Sequence, residues 1–127
     1  MVKVGISMGD PNGVGPEIIL KAFNDVRLFD NLVPVVYGCS SILSHYKKLI
    51  HNYNIKYAKI SSVDNISNKQ INVIPVSQED FIIQPGKATP AGGQFSFMAL
   101  EAATADLASG KIDVLITAPI NKKTIQS

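Results

Sequence analysis

One cysteine, Cys39, occurs in the chain, so an intrachain disulfide is impossible and a reducing compartment, the cytoplasm, is expected. Tryptophan is absent, and the two histidines, His45 and His51, sit among tyrosines and lysines without the spacing of a metal site. Both read as surface residues. The net charge is only +2. With no cluster of Lys and Arg and no interleaved aromatic stripe, nucleic acid is excluded as a partner, and Lys47-Lys48 reads as the solvated face of a helix. No apolar run approaches the ~18 residues that a membrane span requires. The opening MVKVGIS is too short for the apolar region of a secretory signal. Charged residues make up 17% and apolar residues 46%, a globular balance.

What remains is 127 residues, enough for one domain or a piece of a larger one. Val2, Val4 and Ile6 alternate with Lys3 and Gly5 as a first strand. A glycine-rich turn follows, then a helix with Pro16 near its start and Ile18, Ile19, Ala22, Phe23 and Val26 on one stripe. VPVVY (Val33–Tyr37) reads as a second strand, and Ser40 or Ser41 can cap a second helix carrying Ile42, Leu43, Tyr46, Leu49 and Ile50. NIKYAKI and INVIPV read as two more strands, the latter an edge or terminal one because of Pro75. Ser77–Asp80 fits a capping box, and Gln84–Gly93 reads as a loop. Phe97, Leu100, Ala103 and Leu107 then mark a helix over Gln94–Ser109, stopped by Gly110. DVLIT (Asp113–Thr117) has the continuous apolar character of a parallel strand buried on both faces. Alternating strands and helices predict an α/β fold with a parallel or mixed sheet flanked by helices. The covering helix such a strand needs has barely begun at Ser127, so an N-terminal portion of a longer protein is expected.

In open α/β sheets, ligands bind beyond the carboxyl ends of the strands. Two stretches fall there. Ser7–Gly15 carries Gly9, Asp10, Gly13 and Gly15, with the turn dipeptide Asn12-Gly13. It is not a phosphate-binding P-loop, and Ile18 holds the place of the third glycine of a dinucleotide fingerprint. Spacing alone allows either a tight strand–helix turn or a ligand site. Ala118–Lys122, after DVLIT, offers Asn121 and Lys122 beside Thr117. Lys122 suits a phosphate or carboxylate partner or a proton relay, and equally the first turn of a surface helix. Cys39 reads as a small buried residue.

GDPNGVGPEI (Gly9–Ile18), PGKATPAGG (Pro85–Gly93) and GKIDVLITAPINK (Gly110–Lys122) occur in one order and spacing. Together they resemble the N-terminal part of the 4-hydroxythreonine-4-phosphate dehydrogenases of pyridoxal phosphate biosynthesis. The first motif is also similar to the GDGIGPE turn of isocitrate and isopropylmalate dehydrogenases. The resemblance implies that residues 1–127 are an incomplete part of a two-domain subunit of that type, in a homodimer. It implies NAD or NADP as cofactor, and a divalent metal (Zn, Mg or Co) whose ligands lie outside this segment. The substrate would be a phosphorylated hydroxy-amino acid, oxidised to a 3-keto acid that then loses carbon dioxide. The segment's share of the site would be the cleft wall: Gly9, Asp10, Gly13, Gly15, Thr117 and Asn121, with Lys122 as the catalytic candidate. By itself the segment is expected to be inactive. A paralogue acting on another phosphorylated hydroxy acid and a non-catalytic binding module are the alternative readings.

Overall fold

The computed structural model describes residues 1–13, 15–49, 55–76, 87 and 89–117. Ile50, His51, the capping box at 77–80, Asn121 and Lys122 lie outside them. The chain runs β1 (Val2–Ser7), α1 (Gly15–Ala22), β2 (Leu32–Gly38), α2 (Ser40–Leu49), β3 (Tyr57–Lys59), β4 (Ile71–Pro75), α3 (Pro90–Ala108) and β5 (Val114–Thr117), with short 3-10 turns at Val26–Asp30 and Val63–Asn65. The five strands form one sheet of order β3-β4-β2-β1-β5, every pairing parallel.

The period of two along each strand separates two cores. Val4, Ile6, Val36, Ile71 and Val73 join Ile19, Leu20 and Phe23 of the α1 region and Ile42, Leu43 and Tyr46 of α2. On the other face, Val35, Tyr37 and Ile112 meet Ala99 and Ala103 of α3. Helix α3 buries Gly92, Gly93, Phe95, Ser96, Ala99 and Ala103, a face of mostly small residues. Of the predicted stripe, Ala103 is buried as expected and Leu100 half-buried, whereas Phe97 and Leu107 are exposed. Small side chains let the helix lie close to the sheet, and a bulkier stripe would hold it away. Of the first predicted stripe, Ile19 and Phe23 are buried as expected, with Pro16 and Leu20 buried beside them, while Ile18, Ala22 and Val26 are exposed.

Several boundaries differ from expectation for identifiable reasons. Helix α3 begins at Pro90, inside the predicted loop, because Thr89 caps it: its hydroxyl accepts from the Gly92 amide at 3.0 Å. It ends as predicted. Gly110 has φ 79°, its amide bonds to Leu107 O, and the Lys111 amide reaches Asp106 O at 2.9 Å, a Schellman closure. Helix α2 starts at Ser40, so Cys39 precedes it; Cys39 is half-buried, its Sγ 2.9 Å from Ser41 Oγ. Lys47 is not merely solvated: its ammonium donates to Ile55 O at 2.5 Å and lies 5.6 Å from the Tyr57 ring centre.

Strand β4 is interior, between β3 and β2, which corrects the edge reading drawn from Pro75. Pro75 is its last residue, paired with Gly38, where a missing donor interrupts nothing beyond it. Strand β5 is parallel as expected but stands at the sheet edge, pairing with β1. Register places Val114 and Ile116 on the side of Val4 and Ile6, and both are exposed, so burial on both faces does not hold. Leu115, pointing the other way, packs into the α3 core.

A fully buried asparagine, Asn72, ties the sheet to the segment before β4. Its side-chain nitrogen donates to Pro34 O, Ser67 O and Gln70 O at 3.1, 3.0 and 3.3 Å, and its oxygen accepts from the Ser67 amide at 2.7 Å. Replacing Asn72 with alanine leaves these buried carbonyls and an amide without partners. The expected loss is about 2–3 kcal/mol, read as a lower urea midpoint at unchanged m-value.

Candidate functional site

Because β1 and β5 are adjacent and parallel, Ser7 and Thr117 are register partners. The two strand ends that precede the stretches singled out in the sequence therefore lie side by side at the sheet's C-terminal edge, and residues 118–122 of the second stretch lie outside the described residues. Thr117 is exposed there.

The turn after β1 is held by its own backbone and one carboxylate. Met8, fully buried, donates its amide to Tyr37 O at 3.1 Å, continuing the ladder with β2 one residue beyond β1. Gly9 takes φ 80°, a left-handed conformation that favours glycine. Asp10 then closes a β-turn over Pro11-Asn12: its carbonyl accepts from Gly13 N at 3.0 Å, and its Oδ1 accepts from Asn12 N at 2.9 Å. Gly13, by contrast, does not have positive φ. From the neighbouring helix α2, the Tyr46 hydroxyl donates to Pro11 O at 2.7 Å. Burial, and then the charges of Asp10 and Glu17, push the Tyr46 phenol above its ordinary value. His45, exposed as read from the sequence, meets the Tyr46 ring edge-on with ring centres 5.2 Å apart.

The start of α3 completes the arrangement. Asn12 Nδ2 donates to Thr89 Oγ1 at 3.2 Å. A Cβ on Gly92 would stand 2.8 Å from Asp10 Oδ1 and 3.1 Å from both Asn12 Nδ2 and Thr89 Oγ1. The helix can dock on the turn only because position 92 has no side chain. Thr89 and Gly92 were not singled out as site residues by sequence reasoning, although Thr89-Pro90 is a helix-start signature that marks where they belong. Two more hydroxyls along this seam, Ser7 Oγ and Ser96 Oγ, are buried with no hydrogen-bond partner among the described residues.

Among the described residues no group of three or more His, Cys, Asp or Glu side chains comes together to hold a metal. The turn also fits a dinucleotide pyrophosphate poorly. The amides of Asn12 and Gly13, which such a loop would present to phosphate, are already bonded to Asp10. Among the described residues no helix is long and apolar enough to cross a membrane.

Two outcomes follow for the turn. Gly92→Ala is expected to destabilise by about 1–3 kcal/mol, since the overlap with a fixed carboxylate outweighs the ~1 kcal/mol that alanine otherwise contributes in a helix. Gly13→Ala, with nothing nearer than Asp10 O at 3.5 Å, is expected to stay within about 0.5 kcal/mol; urea denaturation of the pair checks the contrast. Alkaline stability gives a second test. Burial, and then the bond to Asp106 (2.6 Å) and its charge, also raise the Tyr37 phenol. Both phenols thus stay protonated in the folded chain when unfolded tyrosine, with an ordinary value of 10.0, ionises. Stability should be full below about pH 10 and fall as pH rises past it. Tyr37→Phe should flatten that fall, as read from urea midpoints across the alkaline range.

A family profile described as Pyridoxal phosphate biosynthetic protein PdxA matches residues 30–127. The 4-hydroxythreonine-4-phosphate dehydrogenase of Bacteroides thetaiotaomicron is 32% identical over 126 residues, covering 99% of this chain and 34% of that protein. A protein of Oceanobacillus iheyensis, provisionally named a D-threonate 4-phosphate dehydrogenase, is 29% identical, covering 97% and 38%. Among solved structures, the 4-hydroxythreonine-4-phosphate dehydrogenase of Klebsiella pneumoniae superposes with a TM-score of 0.85 at 30% identity, covering 99% and 39%. The chain thus spans little more than a third of the length of each relative. With three quarters of its residues inside the profile match, the chain belongs to the PdxA family of pyridoxal phosphate biosynthetic proteins.

Proposed function

We propose that the chain supplies one wall of the substrate and nicotinamide cleft in an NAD(P)-dependent 4-hydroxythreonine-4-phosphate dehydrogenase. The observation that carries this reading is the meeting, at one sheet edge of a PdxA-family chain, of the Asp10 turn, the start of α3 and Thr117. That edge is where α/β sheets bind ligands. Ser7 adds support, since its buried hydroxyl lies at the same edge and finds no hydrogen-bond partner among the described residues. Residues 1–127 are taken as the N-terminal portion of a two-domain, isocitrate dehydrogenase-like subunit, working as a cytoplasmic homodimer.

In the reaction the substrate's secondary alcohol loses a proton and a hydride to become a ketone, and the 3-keto acid then releases carbon dioxide. The nicotinamide, when bound, accepts the hydride. This chain's residues shape and orient. Asp10, buried and bonded to Asn12 N, fixes the turn. Gly9 and Gly15 let the turn pack closely and Gly13 leaves its half-exposed point free of a side chain, Thr117 and Asn121 offer polar contacts, and the Lys122 ammonium meets a phosphate or carboxylate or relays the proton. A divalent zinc, magnesium or cobalt ion is assigned to ligands outside this segment, and no part of the wall's role runs through it.

A second reading is favoured by the provisionally named D-threonate 4-phosphate dehydrogenases, which match at similar identity over the same length. The test is an assay of the complete reading frame with 4-phosphohydroxythreonine and with D-threonate 4-phosphate, each with NAD or NADP and a divalent metal. Turnover of the first substrate is expected. Turnover of the second alone selects the paralogue, and turnover of neither leaves a non-catalytic binding module. In the active protein, Lys122→Ala should lower kcat/KM by about tenfold or more. Unchanged kcat and KM for both substrates remove Lys122 from the site.

A further inference from the structure

A cavity of about 330 Å³ opens at the other end of the sheet, where β2, β3 and β4 begin. Its apolar wall is made by Phe23, Phe29 and Ile55, all buried. The two rings are stacked, with centroids 5.6 Å apart and planes 29° apart. Its polar lining comes from three exposed residues: Asp30, before β2; Lys56, before β3; and Lys69, before β4. The parallel sheet brings these three strand starts to one edge.

Two cations close in sequence to the lining residues are already matched. Arg27 forms a two-pronged bond with Asp25, at 2.9 and 2.8 Å, and Lys21 pairs with Glu17 at 3.4 Å. Among the described residues neither Lys56 nor Lys69 takes part in an ion pair or a side-chain hydrogen bond. The cavity is therefore lined by two ammonium groups against one carboxylate. Lys69 is also the one non-glycine residue with positive φ among those described, at 62°. That conformation disfavours lysine relative to glycine or asparagine, and Asn68 stands next to it. A lysine kept at a strained position on a cavity, where glycine would sit without strain, is the kind of outlier that marks a binding role.

We propose that this cavity is a second small-molecule site, remote from the sheet edge described above, for a soluble anion with an apolar body. The acyl or aryl part lies against the Phe23 and Phe29 rings and Ile55, and the carboxylate, sulfonate or phosphate head meets Lys56 and Lys69. The volume is at the small end of ligand sites, ~300–1,000 Å³, which fits a single short chain or one ring. A substrate that is polar throughout does not suit such walls, so this site does not compete with the proposed cleft. The inference stands whether or not the dehydrogenase reading does, because its readout is binding rather than turnover.

Isothermal titration calorimetry of the intact protein with octanoate is the test. Octylammonium, of the same length and opposite charge, and inorganic phosphate, a head without a body, are the comparisons. Saturable one-site binding of octanoate is expected, with both comparisons weaker by about tenfold or more. The double variant Lys56→Gln, Lys69→Gln changes two exposed side chains, so it should fold normally and lose affinity by a similar factor. Lys69→Gly should weaken octanoate while keeping or raising Tm, since it removes the positive-φ strain. Octylammonium binding as tightly as octanoate overturns the proposal. So does unchanged affinity in the double variant, or octanoate uptake that never saturates. Capture of the protein on phosphatidylglycerol vesicles without octanoate binding also overturns it, by assigning the lysines to a membrane surface.

Discussion

Asp10 is a carboxylate withdrawn from water at the point where three parts of the fold meet. A charge in that position is costly unless donors and well-placed dipoles surround it. Here Asn12 N supplies a bond to Oδ1, and the capped first turn of α3 stands against the same oxygen at Gly92. The positive end of a long helix beside a buried negative charge is a favourable electrostatic pairing. Much else follows from it. The turn is closed by the same residue's carbonyl, Asn12 is oriented to bond Thr89, and Tyr46 is drawn to Pro11 O from α2. Helices from opposite faces of the sheet are thereby tied to one loop at its C-terminal edge.

The division of labour between the two faces is consistent with this. Between the sheet and α1 and α2 lies a conventional core of Ile, Leu, Val and Phe. Between the sheet and α3, the helix contributes mostly glycine, alanine and serine, set against Val35, Tyr37 and Ile112. Close approach makes α3 sensitive to single added carbons, and it also lets a helix N-terminus reach a loop that belongs to β1. The geometry of the candidate site depends on packing several turns further down the same helix.

Much of this was legible in the sequence, and the limits are physical. Strand β1, the glycine turn and the Gly110 stop carry local signals, alternation and φ preference, that tertiary context did not override. The edge position of β5 carries none: Val114–Thr117 has the apolar run of a doubly covered strand, and which neighbours cover it is decided by elements far away in the chain. The buried face of α3 was legible only at Ala103, because hydrophobic size led to Phe97 and Leu107, whereas the sheet also selects for smallness at Gly92, Ser96 and Ala99. Within the site, the glycines and Asp10 announced a turn. The partnership of Asp10 with Gly92 joins residues more than eighty positions apart, and no local pattern encodes it. Lys122 and Asn121 rest on motif likeness alone.

The buried side chain of Asn72 gives the polar stretch before β4 an unexpected status. Written out, Ser61–Lys69 has the composition of a connector that could be lengthened at will. In the fold, one amide side chain stands in for a missing piece of strand, binding Ser67 through both its amide and its carbonyl, and Pro34 across the sheet. A residue inserted between 67 and 72 would move the partners out of reach of a side chain with no spare length. The connector is in effect a ruler for the start of β4, so its tolerance to length change is set by hydrogen-bond geometry rather than by loop-closure entropy.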